Sequence, residues 1–408
     1  PLAAGHVRHH GVRRRAPAVK ALLVRRGREL HLPALVTAHS HAFQRGLRGH
    51  AQRPVAEGDD FWSWRGQMYH LAEALTPERL HAISRVAYRE LAAAGVSTVG
   101  EFHYVHHQPG GVPYDDPTLL AQVVIEAARE EGLRIALLRV AYHRAGPGRE
   151  AAPEQRRFCD AAVDDVLRAV DGLRARYAGD PGVAIGIAPH SVRAVPPAWL
   201  APLAAHAAAA GLPLHMHVAE QRRELDECLA ETGRRPVELL AELGVLSPRF
   251  VAVHGTHLTE GEAALLGQAQ SFVCVCATTE RDLGDGLPDL TALRAHGVRL
   301  CTGIDSHVVT DPFEELRSLE THERLRRERR VTFRGADGRT PAEELWLAGS
   351  SLGARALGFD DCGGAVVLDA EHPSLALVDD ERLLDAVVFS GHPGLVLRRE
   401  LGRQAPFS

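Results

Sequence analysis

The chain has 408 residues, 45% of them hydrophobic, and a formal net charge of −5. That length is enough to bury one large core plus a smaller accessory element. No apolar run is long enough to cross a bilayer, and the slightly acidic balance leaves no basic surface for nucleic acid.

Residues 1–32 are rich in arginine and histidine and offer strands only at 21–25 and 29–32. His6, His9 and His10 read as part of a divergent tail rather than as a metal site. A start at Pro1 in place of Met reads as a trimmed N-terminus, and no secretory signal is recognisable. The six cysteines are scattered and form no disulfide framework, so a reducing cytoplasm is the expected compartment.

From residue 33 onward, short apolar segments recur, each ending in polar or ionisable residues. They run 33–41, 96–105, 134–143, 183–192, 213–220, 250–257, 271–279 and 299–307. Stretches with helical periodicity lie between them, at 77–94, 117–132, 153–177, 197–211, 236–243 and 260–268. Continuous apolar strands alternating with amphipathic helices indicate a parallel sheet covered on both faces. Eight of them predict an α/β fold, a (β/α)₈ TIM barrel over 33–345, with its active site at the strands' C-terminal ends.

Those ends carry His39 and His41, then Glu101, His103 and Tyr104, then His143, His190 and Arg193. Later come His215, His217 and Glu220, then His254, Thr278 to Glu280, and Asp305 to His307. Residues i and i+2 of a strand share a face, so His39 and His41 are placed to grip one divalent ion. Such a pair alone says little in a chain with 24 histidines. Its repetition at strand after strand carries the weight. His39, His41, His217 and Asp305 are the candidate ligands, although His215 shares a face with His217 and either fits by position. Asp305 also reads as a helix cap.

The only lysine is Lys20, upstream of the barrel. A carbamylated lysine bridging two metals is therefore excluded, as is a Schiff base on a barrel lysine. A single metal remains.

Several strings resemble a known family. His39 and His41, His217 with Glu220 three residues on, His254 and Asp305 are similar to the pattern of the amidohydrolase superfamily in its mononuclear branch. Within that branch, the run from His39 to Gly46 and the run from Thr278 to Gly286 resemble the formimidoylglutamate deiminases. So do Phe61 to Arg65, Glu101 to Tyr104, Ala188 to Arg193 and His217 to Gln221. The likeness covers about residues 33–390. It departs at Ala277, where the family has proline, and at Ile304, where serine is common. The resemblance implies one Zn²⁺ per chain, with Fe²⁺ as the alternative, held by His39, His41, His217 and Asp305. It implies acid–base roles for Glu220, His254 and Asp305, and substrate contacts from Gln44, Arg65, Tyr104, His190 and Arg193. It also implies a homodimer and a small β-sandwich built from both flanks, 1–32 and 346–408. The sandwich is expected to be incomplete, since the strand pattern fades after about Gly391.

The chemistry follows from the residues. Zinc lowers the pKa of bound water to about 7, which makes hydroxide available at neutral pH. Attack on an amidine carbon, with protonation of the departing nitrogen by Glu220, releases ammonia. The resemblance implies that the substrate is N-formimino-L-glutamate, converted to N-formyl-L-glutamate in histidine degradation. Guanidinium groups bind carboxylates bidentately, so Arg65, expected in a Trp-flanked loop, and Arg193 suit a dicarboxylate substrate. Trp62 and Trp64 read either as a lid or as packing. The arginine run at 324–330 reads as a solvated helix face. Two other readings compete: a relative that deaminates a heterocycle such as guanine, and an inactive barrel scaffold.

Overall fold

The computed structural model describes residues 22–53, 60–335 and 337–402. Strands β1 (Val24–Arg26) and β2 (Glu29–Pro33) form a hairpin. Eight parallel strands follow: β3 (Leu35–Ser40), β4 (Val96–His103), β5 (Arg134–Ala141) and β6 (Val183–Pro189). Then come β7 (Leu214–Val218), β8 (Phe250–His254), β9 (Phe272–Val275) and β10 (Arg299–Thr302). They lie side by side in chain order, β3 to β10. Every residue of β3 and β4 is buried, as expected when helices cover a parallel sheet.

The ring closes at its rim. Ser40 bridges to Asp305, Asp305 N donates to His39 O at 3.1 Å, and His41 N donates to Asp305 O at 2.9 Å. Below, Ile304 N donates to the Thr37 hydroxyl at 2.8 Å. These bonds join the last strand end to the first and bring His39, His41 and Asp305 together.

Strands β11 (Gly364–Asp369) and β12 (Val396–Leu401) complete a second, antiparallel sheet of order β1-β2-β11-β12. The pattern faded after about Gly391 because β12 is a half-exposed edge strand rich in arginine. It still pairs along β11, and Arg398 reaches Glu29 at 2.6 Å. Fully buried Trp346 donates to Pro33 O at 3.1 Å, tying the C-terminal helices to the junction of the two sheets.

Two other expectations are corrected. The stretch 153–177 is a 3₁₀ turn, Pro153–Phe158, followed by a helix, Val163–Arg176. The break lets Asp160 turn inward, where its amide donates to Tyr142 O at 2.8 Å and its carboxylate pairs with buried Arg139 at 2.6 Å. Arg65 does not lie in a loop. It belongs to helix α1 (Phe61–Glu73), whose first amides, Trp62 N and Ser63 N, donate to the Asp60 side chain. Among the described residues, no helix is long and apolar enough to cross a membrane.

Candidate active site

Three imidazoles converge at the C-terminal mouth of the barrel. His39 Nε2 lies 3.1 Å from His41 Nε2 and 3.2 Å from His217 Nε2. Their outer nitrogens decide what these contacts are. His41 Nδ1 donates to Phe102 O at 2.9 Å, and His217 Nδ1 donates to His190 O at 3.1 Å. Both rings therefore turn a lone pair inward. Lone pairs cannot bond each other, and one shared proton on His39 cannot satisfy two neighbours. A cation satisfies all three. Asp305 Oδ1 adds an anionic oxygen 3.5 Å from His39 Nε2 and 3.4 Å from His41 Nε2. Three imidazoles with a carboxylate and no lysine fit a single borderline-soft divalent metal.

The charges agree with that assignment. Burial and the neighbouring His39 press His41 down to about 3, so it stays neutral and able to ligate. Burial resists ionising Asp305, but His39, His41 and His254 outweigh it and keep the carboxylate well below its usual range. Four residues at this rim hold positive φ without being glycine: Ala219, His254, Asp305 and His307. Such backbone is sparsely populated and costs on the order of 1–3 kcal/mol each, so the surrounding hydrogen bonds must hold it in place.

His254 Nε2 points between Glu220 Oε1 at 3.7 Å and Asp305 Oδ2 at 3.8 Å. Its Nδ1 donates to Glu280 Oε1 at 3.2 Å, and Cys276 N fixes that oxygen at 2.9 Å. Burial disfavours a charged His254, but Glu220, Glu280 and Asp305 prevail and push it up to about 10. Burial also raises the Glu220 carboxyl, while His254 and Arg193 oppose it. A carboxyl so placed can take a proton and give it back.

A cavity opens over these groups and is lined by every residue assigned to substrate: Gln44, Arg65, Tyr104, His190 and Arg193. Gln44 Nε2 donates to Tyr104 Oη at 2.8 Å. Arg193 is buried, with Nε unpartnered among the described residues. Glu220 and Glu224 approach it only to 3.9 and 3.8 Å. Arg65 stacks over the Trp62 ring, 4.4 Å from Cζ to centroid. Burial lowers the Arg65 pKa, with Tyr69 opposing and the Arg193 charge adding to it. Two partly desolvated cations at one end of a cavity make a site for anions.

Other strand-end residues serve elsewhere. His215 Nε2 donates to Ala356 O at 2.9 Å, which removes it as a ligand. His143 is held by Asp160 O at 3.0 Å, and His103 packs against His106. His307 and Glu101 grip Ser40, between the two ligand histidines, at 2.8 and 2.7 Å. Sequence reasoning missed Glu280 as the partner of His254, Glu224 as the neighbour of Arg193, and Tyr69 and Tyr142 as cavity walls. Glu280 lay in a quoted strand-end run. Glu224 sits one helical turn beyond Glu220, a spacing that reads equally as a surface pair.

The model of the amidohydrolase family matches residues 30–368. The chain is 38% identical over 368 residues to a formimidoylglutamate deiminase of Pseudomonas aeruginosa, covering 88% of this chain and 81% of that protein. It is 32% identical over 368 residues to an 8-oxoguanine deaminase of the same organism, covering 89% and 76%. A crystal structure of an amidohydrolase from Brucella melitensis superposes with a TM-score of 0.82 at 32% identity. It covers 92% of this chain and 86% of that one.

Proposed function

The chain belongs to the amidohydrolase family, and we propose that it hydrolyses N-formimino-L-glutamate to N-formyl-L-glutamate and ammonia. The observation that carries this reading is the pair Arg65 and Arg193, which line the same cavity as His41 and His217 of the imidazole cluster. A linear amidine with two carboxylates spans such a site. A flat, neutral base leaves both guanidiniums without partners.

His39, His41, His217 and Asp305 would hold the metal, with Zn²⁺ preferred for its affinity for imidazole and Fe²⁺ as the alternative. When bound, a divalent ion supplies a nucleophilic water near neutral pH and polarises the amidine. Asp305, kept ionised, would accept a proton from the attacking water, and His254, kept charged by Glu220, Glu280 and Asp305, would stabilise the negative charge that develops beside it. Glu220 carries a proton to the departing nitrogen, so water adds to carbon and NH₃ leaves from a tetrahedral centre. Gln44, Tyr104 and His190 orient the amidine, and the two arginines take the carboxylates. The reading treats 33–345 as the catalytic unit and 1–32 with 346–408 as supporting flanks. It places the protein in the cytoplasm as a homodimer acting in histidine degradation.

Kinetics of the parent, Arg65→Met and Arg193→Met test it. Removing one charged partner from a desolvated pair costs ~2–5 kcal/mol, so Arg193→Met should lower kcat/KM for formiminoglutamate by roughly 30- to 4,000-fold. Turnover of an amidine without carboxylates, such as formamidine, should be low and unchanged. Equal loss on both substrates would assign the arginines to the fold instead.

A further inference from the structure

Tyr69 and Tyr142 line the same cavity as the two arginines, and both are buried. Gln155 stands behind them, on the 3₁₀ turn Pro153–Phe158. Its Nε2 lies 2.6 Å from Tyr142 Oη and 3.0 Å from Tyr69 Oη. The amide cannot be turned round, because Ala152 N donates to Gln155 Oε1 at 2.9 Å. The group facing the phenols is therefore the NH₂, and it donates one hydrogen to each oxygen. Each phenol accepts at Oη, and the Tyr142 hydroxyl also bonds Tyr69, a hydrogen that an incoming acceptor can recruit. Burial holds the Tyr142 hydroxyl well above its usual range, so it remains a donor at neutral pH.

Donors from two guanidiniums and two phenols line this cavity. Arg65 Cζ lies 5.5 Å from the Tyr69 ring centroid, and Arg193 Nε makes no hydrogen bond among the described residues, with Glu224 Oε2 standing off at 3.8 Å. A buried donor without a hydrogen bond calls for a ligand that accepts. A carboxylate offers about four lone-pair sites, so a bidentate guanidinium leaves room for hydroxyl donors as well.

We propose that Tyr69 and Tyr142, oriented by Gln155, donate their phenol hydrogens to a substrate carboxylate and help determine specificity beside Arg65 and Arg193. This rests on the dicarboxylate amidine reading. Gln155 is a positioning residue that acts only through the two phenols.

Tyr69→Phe and Tyr142→Phe keep the rings and remove one donor each. Two measurements are made on the metal-loaded protein: calorimetric binding of the product N-formyl-L-glutamate, and kinetics on formiminoglutamate. Each single variant should raise Kd and KM about 10- to 100-fold, the worth of a hydrogen bond to a charged group, while kcat changes less than about 3-fold. Gln155→Met should raise KM in the parent background and do nothing further in the Tyr69→Phe/Tyr142→Phe background, which a purely structural role does not predict. Parent-like Kd and KM in both phenylalanine variants would overturn the proposal, as would a parent that binds no dicarboxylate. A parent that binds N-formyl-L-glutamate without hydrolysing formiminoglutamate would remove the proposed activity. Calorimetry of the variants would then still decide the role of the tyrosines.

Discussion

Glu220 has the geometry of a proton carrier: buried, 3.7 Å from His254 and 3.9 Å from Arg193. Glu220→Gln should keep metal and product binding and lower turnover by roughly 10²–10⁴-fold, the usual worth of a positioned acid–base group. Near-normal turnover in that variant would end the assignment. Glu101 shows a different use of a buried carboxyl. It accepts from Ala42 N at 2.8 Å and from Ser40 Oγ at 2.7 Å, which clamps the segment carrying His39 and His41. Burial raises it from 4.5 to about 7, against the hydrogen bonds from Ser40, Ala42 and Tyr88. Since the folded value lies above the unfolded one, Glu101 costs nothing below about pH 4.5. The cost grows as the unfolded chain ionises first, and it is complete near pH 7. Glu101→Gln should therefore be more stable than the parent at pH 8 by up to about 3 kcal/mol and indistinguishable at pH 4.5. Urea unfolding in chelator at the two pH values checks this, and a difference that shrinks with rising pH would contradict it.

The elements place these groups through close approach. Gly303, between β10 and Asp305, has no room for a side chain. A Cβ there would sit 2.8 Å from His39 Cβ and 3.0 Å from Cys276 Sγ. Gly303→Ala should push the β3 end outward and cut metal retained through dialysis by at least about 10-fold, on the scale of losses seen when a ligand's support is removed. Full retention, measured by elemental analysis of soluble variant, would show that the strand ends are not so tightly fixed. The eight barrel strands were legible because each is a short, continuous apolar run. The clustering of His39 and His41 was legible because period two puts them on one face. What escaped depended on contacts distant in sequence. The inward turn at Asp160 answers to Arg139 and Tyr142. Helix α1 was announced by Asp60 and Ser63, but its mixed Trp and Arg surface hid the period. Tyr69 and Tyr142 share the amide of Gln155, a residue that no local pattern distinguishes.

At the scale of the molecule, the fold is a barrel that closes through the site itself, since the bonds linking β3 to β10 run through His39, His41 and Asp305. The second sheet draws its strands from both flanks of the barrel and packs its C-terminal helices against the junction. Catalytic specificity is then a matter of one cavity, lined by His41, His190, His217 and His254 together with Arg65 and Arg193. The central claim is that this cavity selects a dicarboxylate amidine over a heterocycle, and ammonia release by the metal-loaded parent protein tests it most directly. With N-formimino-L-glutamate, one ammonia and one N-formyl-L-glutamate should form per substrate consumed, and guanine and 8-oxoguanine should give none. Ammonia from either purine, with none from formiminoglutamate, would contradict the account.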